Sequence, residues 1–385
     1  MVEHLTVNQM VVSSSLSDGV LNLEIFLQKV ITYLTYYKIM SKDSKKVITV
    51  TGLIEPEDMG LTLSHEHLLI DFTLMYHGEK DSKGNPKKIP IKMENLGSIL
   101  YDPYTNFDNL LTNSEELGII EVEKFKESGG QTIVDCTSLG IMRSPNSLKK
   151  ISSKTDINII CGSGYYVQKS HPSNMNEKKE KDIANEIIRD IQEGIPGTEI
   201  RSGFIGEIGN TYPWHDNEKK VCRGAALAQL ETGAALSIHP GRNREAPIEI
   251  LRLLKEQDTT MNKVIMCHID RTINKIEDLR DISKFDCYIE LDLFGSEGFY
   301  PLSDFPMTND NGRILLIKEL IKEGLLDRIL ISHDICWKTR WSMFGGYGLN
   351  HIPKNIVPRL IKNGITQEQI NQILIDNPRR VFTIE

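Results

Sequence analysis

The chain has 385 residues and a formal net charge of -8, so it lacks the positive charge with which proteins bind nucleic acid. Its six cysteines are scattered and form no Cys-x-x-Cys pair, which argues against a disulfide framework and against a cysteine zinc site. We therefore expect a cytoplasmic protein of the cytosol without nucleic-acid or membrane partners, and a homodimer is left open.

The N-terminal residues differ from the rest of the chain. Residues 20–40 are rich in Leu, Ile, Val and Tyr, but Glu24, Gln28 and Lys29 interrupt them, and neither a basic segment nor a small-residue cleavage site frames them. These features argue against a signal peptide or a membrane span. We predict that residues 1–45 form an N-terminal extension, helical or poorly ordered, and that residues 46–385 form the folded domain.

From residue 47 onward, short strand-like runs alternate with longer helical patterns. Eight strands are predicted near 47–53, 131–137, 157–162, 202–207, 234–239, 263–268, 286–292 and 328–334. Helices are predicted near 114–128, 177–193, 216–232, 246–257, 274–283, 311–323, 353–362 and 366–376. Such alternation indicates a parallel sheet covered by helices, and eight units over about 330 residues favour an α/β fold of the (β/α)8 TIM-barrel type.

The segment from Phe72 to Asn113 has little periodicity and many Lys, Gly, Pro and Asn residues. It follows the first strand, where a barrel places loops on its active face. We interpret it as a loop insertion over the site, with an idle surface excursion as the alternative.

Metal-competent side chains stand at the ends of five of the eight predicted strands: His65, His67, Glu207, His239, His268 and Asp334. In a barrel the carboxyl ends of all strands converge on one mouth. Each residue alone has an ordinary alternative, such as capping a helix or pairing with an arginine. Together, four imidazoles and two carboxylates suffice for two divalent cations per chain, for which Zn²⁺ is suited and Mn²⁺, Co²⁺ and Fe²⁺ are alternatives.

Five motifs carry a resemblance to a known family: Gly60-Leu-Thr-Leu-Ser-His-Glu-His-Leu68, Gly206-Glu-Ile-Gly209, Ile238-His-Pro-Gly-Arg242, Cys267-His-Ile-Asp-Arg-Thr272 and Ser332-His-Asp334. From about residue 47 to the C-terminus, the chain resembles the phosphotriesterase-related proteins, a branch of the metal-dependent amidohydrolase superfamily. The resemblance does not cover residues 1–40.

The resemblance divides the ligands among a buried ion, a more exposed ion and a bridge between them: His65, His67 and Asp334; His239 and His268; and Glu207. True phosphotriesterases use a carboxylated lysine as the bridge, and they carry a histidine where this chain has Leu293. The family name is therefore a poor guide to the substrate.

The ligand set predicts hydrolysis by a hydroxide that bridges two metal ions. Asp334 is the predicted catalytic base, with Glu207 completing the centre, because a carboxylate at the end of strand eight can take a proton from the attacking hydroxide and pass it to the leaving group. The family pattern favours Asp334 over His333. The side chain of His333 is expected to point to the opposite face of the strand and to have a structural role.

Two arginines close to the ligands suggest the charge of the substrate. Arg242 and Arg271 follow His239 and His268 by three residues, and arginine forks bind carboxylate, sulfonate or phosphate in bidentate fashion. We predict that both bind substrate, with a surface or ion-pair role as the alternative. That alternative is favoured for Lys338 and Arg340, which follow strand eight.

A pocket of this kind suits a small anionic N-acyl substrate. The resemblance implies the same class, since the animal phosphotriesterase-related branch is associated with hydrolysis of N-acetyltaurine and related N-acyl amino acids. We therefore predict an amidohydrolase that releases acetate. A lactonase or phosphoester hydrolase on the same metals is an alternative, as is a non-catalytic binding protein, against which the complete ligand set argues.

Overall fold

The computed structural model describes residues 45–273, 276–297 and 307–384. The predicted N-terminal extension, residues 1–45, lies outside these ranges apart from its last residue. Within the described ranges, no helix has both the length and the apolar character needed to cross a membrane.

Parallel pairing connects eight strands into one sheet. In the described part of the chain the strands are β1 Val47–Thr49, β2 Gly52–Ile54, β3 Thr62–Glu66, β4 Ile70–Asp71, β5 Leu111–Thr112, β6 Thr132–Asp135, β7 Asn158–Ser163, β8 Phe204–Gly209, β9 Leu236–His239, β10 Val264–Met266, β11 Tyr288–Leu291 and β12 Ile329–Ile331. The sheet runs in chain order from β3 through β6 to β12. It closes where the backbone N–H of Asp334 donates to the carbonyl oxygen of His65 at 3.1 Å. The predicted barrel is confirmed.

The prediction that residues 47–53 form the first barrel strand is wrong. β1 and β2 pair with each other as an antiparallel hairpin, and the first barrel strand is β3. The apolar residues are buried for a different reason, because Val47 packs with Met59 and Phe382, and the N–H of Val50 donates to the carbonyl of Ile159 in β7 at 2.9 Å. A short apolar run shows burial but does not show which sheet it joins.

Helices connect the strands, and in the described part of the chain they are α1 Met93–Tyr101, α2 Glu115–Glu127, α3 Pro145–Thr155, α4 Glu180–Gln192, α5 Asp216–Thr232, α6 Ala246–Glu256, α7 Ile269–Thr272, α8 Ile276–Ser283, α9 Asp310–Lys322, α10 Val357–Lys362, α11 Gln367–Asn371 and α12 Asn377–Phe382. The helices predicted at 353–362 and 366–376 each include a π-helical segment, Ile352–Ile356 and Gln372–Asp376. The remaining predicted helices correspond to α2, α4, α5, α6, α8 and α9.

The sequence patterns did not predict α1, α3, α7 or α12. Helix α3 is the crossover between β6 and β7, but its buried apolar residues Leu148 and Ile151 stand among Lys and Ser, so the hydrophobic period is sparse. It ends at Asp156 in the left-handed conformation rather than at a glycine, which removes the usual C-terminal signal. Its partner helix α2 covers the neighbouring face of the sheet, and both contribute to one apolar core.

The barrel strands are buried on both faces, which explains their continuous apolar runs. Val134 and Ile160 belong to the cluster inside the barrel, whereas their neighbours Ile133 and Ile159 belong to the cluster that the helices cover. Consecutive strand residues point to opposite faces, so each strand serves both clusters.

The insertion between Phe72 and Asn113 docks on the loop that follows β12. The Lys338 ammonium lies 2.6 Å from an Asp108 carboxylate oxygen, and the side-chain oxygen of Asn109 accepts the N–H of Thr339 at 2.9 Å. The rings of Tyr104 and Trp337 meet edge to face with centroids 5.6 Å apart. These contacts hold the insertion over the mouth of the barrel, as the sequence predicts.

Candidate metal centre

The six predicted ligands come together at one end of the barrel, and all are buried: His65, His67, Glu207, His239, His268 and Asp334. His67 Nε2 lies 3.4 Å from Glu207 Oε1 and 3.2 Å from Asp334 Oδ1. The Oε2 atom of Glu207 lies 2.9 Å from His239 Nδ1, 3.4 Å from His268 Nε2 and 3.7 Å from His65 Nε2. The Glu207 carboxylate is thus the centre of the cluster.

Two of these side chains are directed by unusual backbone turns at strand ends. His268 and Asp334 lie two and three residues after the ends of β10 and β12 and adopt positive φ values of 54° and 50°. A non-glycine residue in this region is strained by about 1 kcal/mol or more, and such strain clusters at functional sites. Here it turns both side chains inward, toward Glu207.

Hydrogen bonds behind three of the imidazoles set which nitrogen faces the cluster. The Nδ1 atoms of His65 and His268 lie 3.1 Å from Glu290 Oε2 and 2.8 Å from Asp292 Oδ1. His67 Nδ1 lies 3.0 Å from the hydroxyl of Thr137, whose proton is donated to the Leu69 carbonyl oxygen at 3.2 Å. Each ring therefore donates from Nδ1 and presents a lone pair on Nε2.

The fourth imidazole has the opposite orientation. His239 directs Nδ1 to Glu207, whereas its Nε2 lies 3.1 Å from Nη2 of Arg271, which also donates to the Pro240 carbonyl at 3.2 Å. Because a guanidinium only donates, Nε2 of His239 accepts this hydrogen bond. The proton of the neutral ring is then on Nδ1, which donates to Glu207 Oε2. Nδ1 faces the cluster, and it could hold a metal only with that proton moved to Nε2.

The donor set fits a divalent transition metal. His65 Nε2 is buried and has no hydrogen-bond partner, although it points at the carboxylates of Glu207 and Asp334 from 3.7 and 3.9 Å. The donor atoms of His65, His67 and Asp334 lie within 4.8 Å of one another, as do those of His65, Glu207 and His268. Such gaps are too long for hydrogen bonds but leave room for an ion between the donors.

The electrostatics of the cluster favour a bound cation. Burial alone would raise the pKa of Glu207, but the surrounding imidazoles hold it well below its ordinary value. Burial and the Arg271 charge lower the pKa of His239 to about 4, so this ring is neutral at pH 7. Burial opposes protonation of His67 as well, yet hydrogen bonds to Asp334 and Glu207 raise its pKa to about 9. Without metal His67 is therefore protonated at pH 7. Because metal ligation requires a neutral imidazole, a cation bound between His67 and the two carboxylates would displace this proton.

Glu66, between His65 and His67 in sequence, fastens the loop that carries Asp334. Its Oε1 accepts the backbone N–H of His333 at 2.9 Å and lies 2.7 Å from His333 Nδ1. The Ser332 hydroxyl donates to the same oxygen at 2.7 Å. The sequence analysis missed Glu66, although the alternation of side chains along a strand places it opposite the two histidines. His333 contacts Glu66, which agrees with the structural role expected from the direction of its side chain.

A cavity opens directly onto the cluster. Both predicted substrate-binding residues, Arg242 and Arg271, line it beside His239 and Asp334. Its remaining wall is mainly aromatic and apolar, and of these residues the sequence pointed only to Leu293: Phe72, Tyr104, Tyr166, Leu293, Met307, Cys336 and Trp337. Lys338 and Arg340 are absent from this lining, and Arg340 donates to the carbonyl oxygens of Phe294 and His333 at 2.8 Å.

A (β/α)8 barrel that gathers imidazoles and carboxylates at the carboxyl ends of its strands defines a class, the TIM-barrel hydrolases of metal-ligating type. Residues 45–382 match the phosphotriesterase family, and the chain belongs to that family. It is an enzyme that hydrolyses amide or ester bonds.

Individual relatives agree with this assignment. The chain is 42% identical over 349 residues to the N-acetyltaurine hydrolase of Bos taurus, a match that covers 90% of this chain and 100% of the relative. A resiniferatoxin-binding protein from Rhodobacter sphaeroides superposes with a TM-score of 0.84 and 33% identity, covering 88% of this chain and 94% of that chain. A lactonase from Listeria monocytogenes superposes with a TM-score of 0.72 and 24% identity, covering 88% and 99%, which shows a common fold.

Proposed function

We propose that this chain hydrolyses N-acetyltaurine and related small N-acyl amino acids. It would use two divalent cations, for which Zn²⁺ is the first candidate. The observation that carries the proposal is the position of Arg242 and Arg271 in the same cavity as four of the six metal-competent side chains, His67, Glu207, His239 and Asp334. The curated relatives named N-acetyltaurine hydrolase support it, since they match the chain over nearly its whole folded domain.

His65, His67 and Asp334 would hold the buried cation, and His239 and His268 would hold the more exposed one. The carboxylate of Glu207 would bridge them, since its two oxygens face different imidazoles. When bound, two such cations lower the pKa of a water molecule and polarise the scissile carbonyl.

Asp334 is the proposed catalytic base. Its carboxylate lines the cavity, and hydrogen bonding with His67 keeps its pKa below the ordinary value although burial alone would raise it. An ionised carboxylate at this position can take the proton of the attacking water and deliver it to the leaving amine.

The two arginines would bind the sulfonate or carboxylate of the substrate. Arg271 is buried and held by His239 and Pro240, so its guanidinium has a fixed direction. Arg242 is less buried and lines the outer part of the cavity as well. The aromatic wall formed by Phe72, Tyr104 and Trp337 would exclude water from the reacting amide, which strengthens each of these electrostatic contacts.

A substrate panel tests the proposal. The purified full chain, loaded with Zn²⁺, would be assayed with N-acetyltaurine, N-acetyl amino acids, lactones and an organophosphate triester. We expect acetate release from the anionic amides with a higher kcat/KM than for any neutral substrate. Cleavage of lactones or triesters alone would contradict the proposed substrate while leaving the hydrolase assignment intact.

Lactone hydrolysis is the second candidate, favoured by the apolar wall of the cavity. Phe72, Leu293, Met307 and Trp337 could hold the alkyl part of a neutral ester. The two arginines favour an anionic substrate instead, because a neutral lactone offers no carboxylate or sulfonate for a guanidinium to bind.

We also propose that the enzyme works in the cytosol. All six cysteines are buried free thiols, and burial raises the pKa of the Cys161 thiol to about 12. Thiols that remain unpaired throughout a chain are typical of a reducing compartment.

A further inference from the structure

The buried carboxylate of Glu290 lies behind His65, and no step of the proposed hydrolysis uses it. Glu290 stands on β11, two residues before Asp292, so both side chains point into the barrel. Its Oε2 atom lies 3.1 Å from His65 Nδ1, and both side chains are completely buried.

This position is unfavourable for a carboxylate. The Oε1 atom of Glu290 is buried without a hydrogen-bond partner, and the residue paired with it on β12 is the apolar Leu330. A buried charge with an unsatisfied oxygen destabilises a fold, whereas an apolar side chain would fill the same space without that cost. Packing therefore does not account for a glutamate here.

The neighbouring carboxylate shows what Glu290 does. Asp292 is committed to His268, since its Oδ1 lies 2.8 Å from Nδ1 and its Oδ2 accepts the backbone N–H at 2.9 Å. It lies farther, 3.4 Å, from His65 Nδ1. Each carboxylate therefore has its nearest contact with a different imidazole. Asp292 lies behind His268, and Glu290 lies behind His65.

We propose that Glu290 is a positioning residue for the buried metal ion and acts through His65. By accepting the Nδ1–H it fixes the tautomer that presents Nε2 to Glu207 and Asp334, and its charge makes the imidazole a stronger ligand. The proposal rests on the metal centre of the proposed function but not on the identity of the substrate.

The contacts of the two carboxylates set which ligand each supports, because Asp292 lies against His268 and Glu290 against His65. Without Glu290 the ion held by His65 would have only the carboxylates on its own side, Glu207 and Asp334. We therefore expect the affinity for that ion to depend on Glu290 and the affinity for the other ion to depend on Asp292.

The test is a titration of metal-free protein with Zn²⁺ against a chelating dye. For Glu290→Gln we expect one of the two sites to lose about 10- to 100-fold in affinity while the other is unchanged. The matched control is Asp292→Asn, which should weaken the site that Glu290→Gln leaves intact. A double-mutant cycle tests whether Glu290 acts through His65. In a His65→Ala background, Glu290→Gln should cause no further loss of Zn²⁺ affinity.

Three outcomes would overturn the proposal. The first is an unchanged Zn²⁺ affinity in Glu290→Gln, and the second is an equal loss of Zn²⁺ affinity with and without His65. The third is unfolding of metal-free Glu290→Gln at a much lower temperature than metal-free wild type, which would indicate a structural role. If wild type binds two ions but fails on N-acetyltaurine, only the proposed substrate is wrong. If wild type binds no metal, the proposed function and this inference both fail.

Discussion

The backbone N–H of Asp334 donates to the carbonyl oxygen of His65 at 3.1 Å, which joins the end of the last barrel strand to the end of the first. The same bond places the Asp334 carboxylate 3.2 Å from His67. Closing the barrel and assembling the site are therefore one event, because residues from the two ends of the folded domain meet only when the sheet is complete.

Replacement of Asp334 by Asn should remove proton transfer while keeping an oxygen ligand. We expect kcat for N-acetyltaurine to fall about 10²- to 10⁴-fold, the range of a lost general base. Elemental analysis should show whether both ions are retained, since only a variant with its metals reports on proton transfer. A fully metallated variant with kcat within tenfold of wild type would rule out Asp334 as the base.

The change Glu207→Ala should remove both metals. Glu207 lies beside all four imidazoles of the cluster, and its two oxygens face His67 and His239. We expect metal content near zero after dialysis, with loss of activity. The measurement is the Zn²⁺ to protein ratio, and two ions per chain in the purified variant would contradict the bridging role.

Arg242→Ala should discriminate between anionic and neutral substrates. A charge-assisted hydrogen bond contributes about 1.5–3 kcal/mol, so kcat/KM for N-acetyltaurine should fall about 10- to 150-fold. A neutral acetamide of similar size should be cleaved at the wild-type rate. Arg271 is less suitable for this test, because its contact with His239 couples it to the metal ligands.

The matched variant is Arg242→Lys, which keeps the charge but loses the planar fork. It should recover part of the lost kcat/KM. Equal losses for the anionic and neutral substrates would show that Arg242 shapes the cavity rather than binds an anion.

The ligand positions are predictable from the sequence because a barrel converts strand ends into one site. His65 and His67 are two residues apart on an extended segment, and Glu207, His239 and His268 end later strands. Their meeting follows from topology alone, without knowledge of any side-chain contact. The error at residues 47–53 does not affect this result, since it misplaces the first strand without moving its histidines.

The residues behind the ligands are not predictable in this way. Glu66 and Glu290 stand in strands whose pattern gives no reason for a buried carboxylate, and their partners are distant in sequence. The aromatic wall depends on docking of the insertion, because Tyr104 packs on Trp337 in the loop after β12 and Phe72 packs on Tyr104 and Tyr166. Hydrophobic periodicity contains no information on such docking.

A buried network outside the metal centre should make stability depend on pH. Asp310 Oδ1 accepts from Gly295 N–H at 2.8 Å and from Arg313 at 3.0 Å, and Oδ2 lies 2.8 Å from His351 Nε2. Burial alone would raise the pKa of Asp310, but the His351 and Gly295 hydrogen bonds and the Arg313 charge lower it. Its folded-state pKa thus lies below the unfolded value of about 3.9.

The sign of the pH effect follows from this shift. A depressed carboxylate pKa stabilises the fold fully at pH values above the unfolded pKa, and this stability is lost as the pH falls through the folded pKa. Asp310→Asn should therefore lower the free energy of unfolding by about 3 kcal/mol at pH 7, the cost of removing one partner of a buried ion pair. The difference from wild type should shrink below about pH 4.

Urea unfolding of both proteins at several pH values measures this difference, and it cancels any metal loss in acid that affects the two alike. Asp281→Asn is the control, because Asp281 pairs with Lys284 on the surface and an exposed pair contributes about 0–1 kcal/mol. A difference between Asp310→Asn and wild type that stays constant from pH 7 to about pH 3 would mean that Asp310 stabilises the fold by shape rather than by charge.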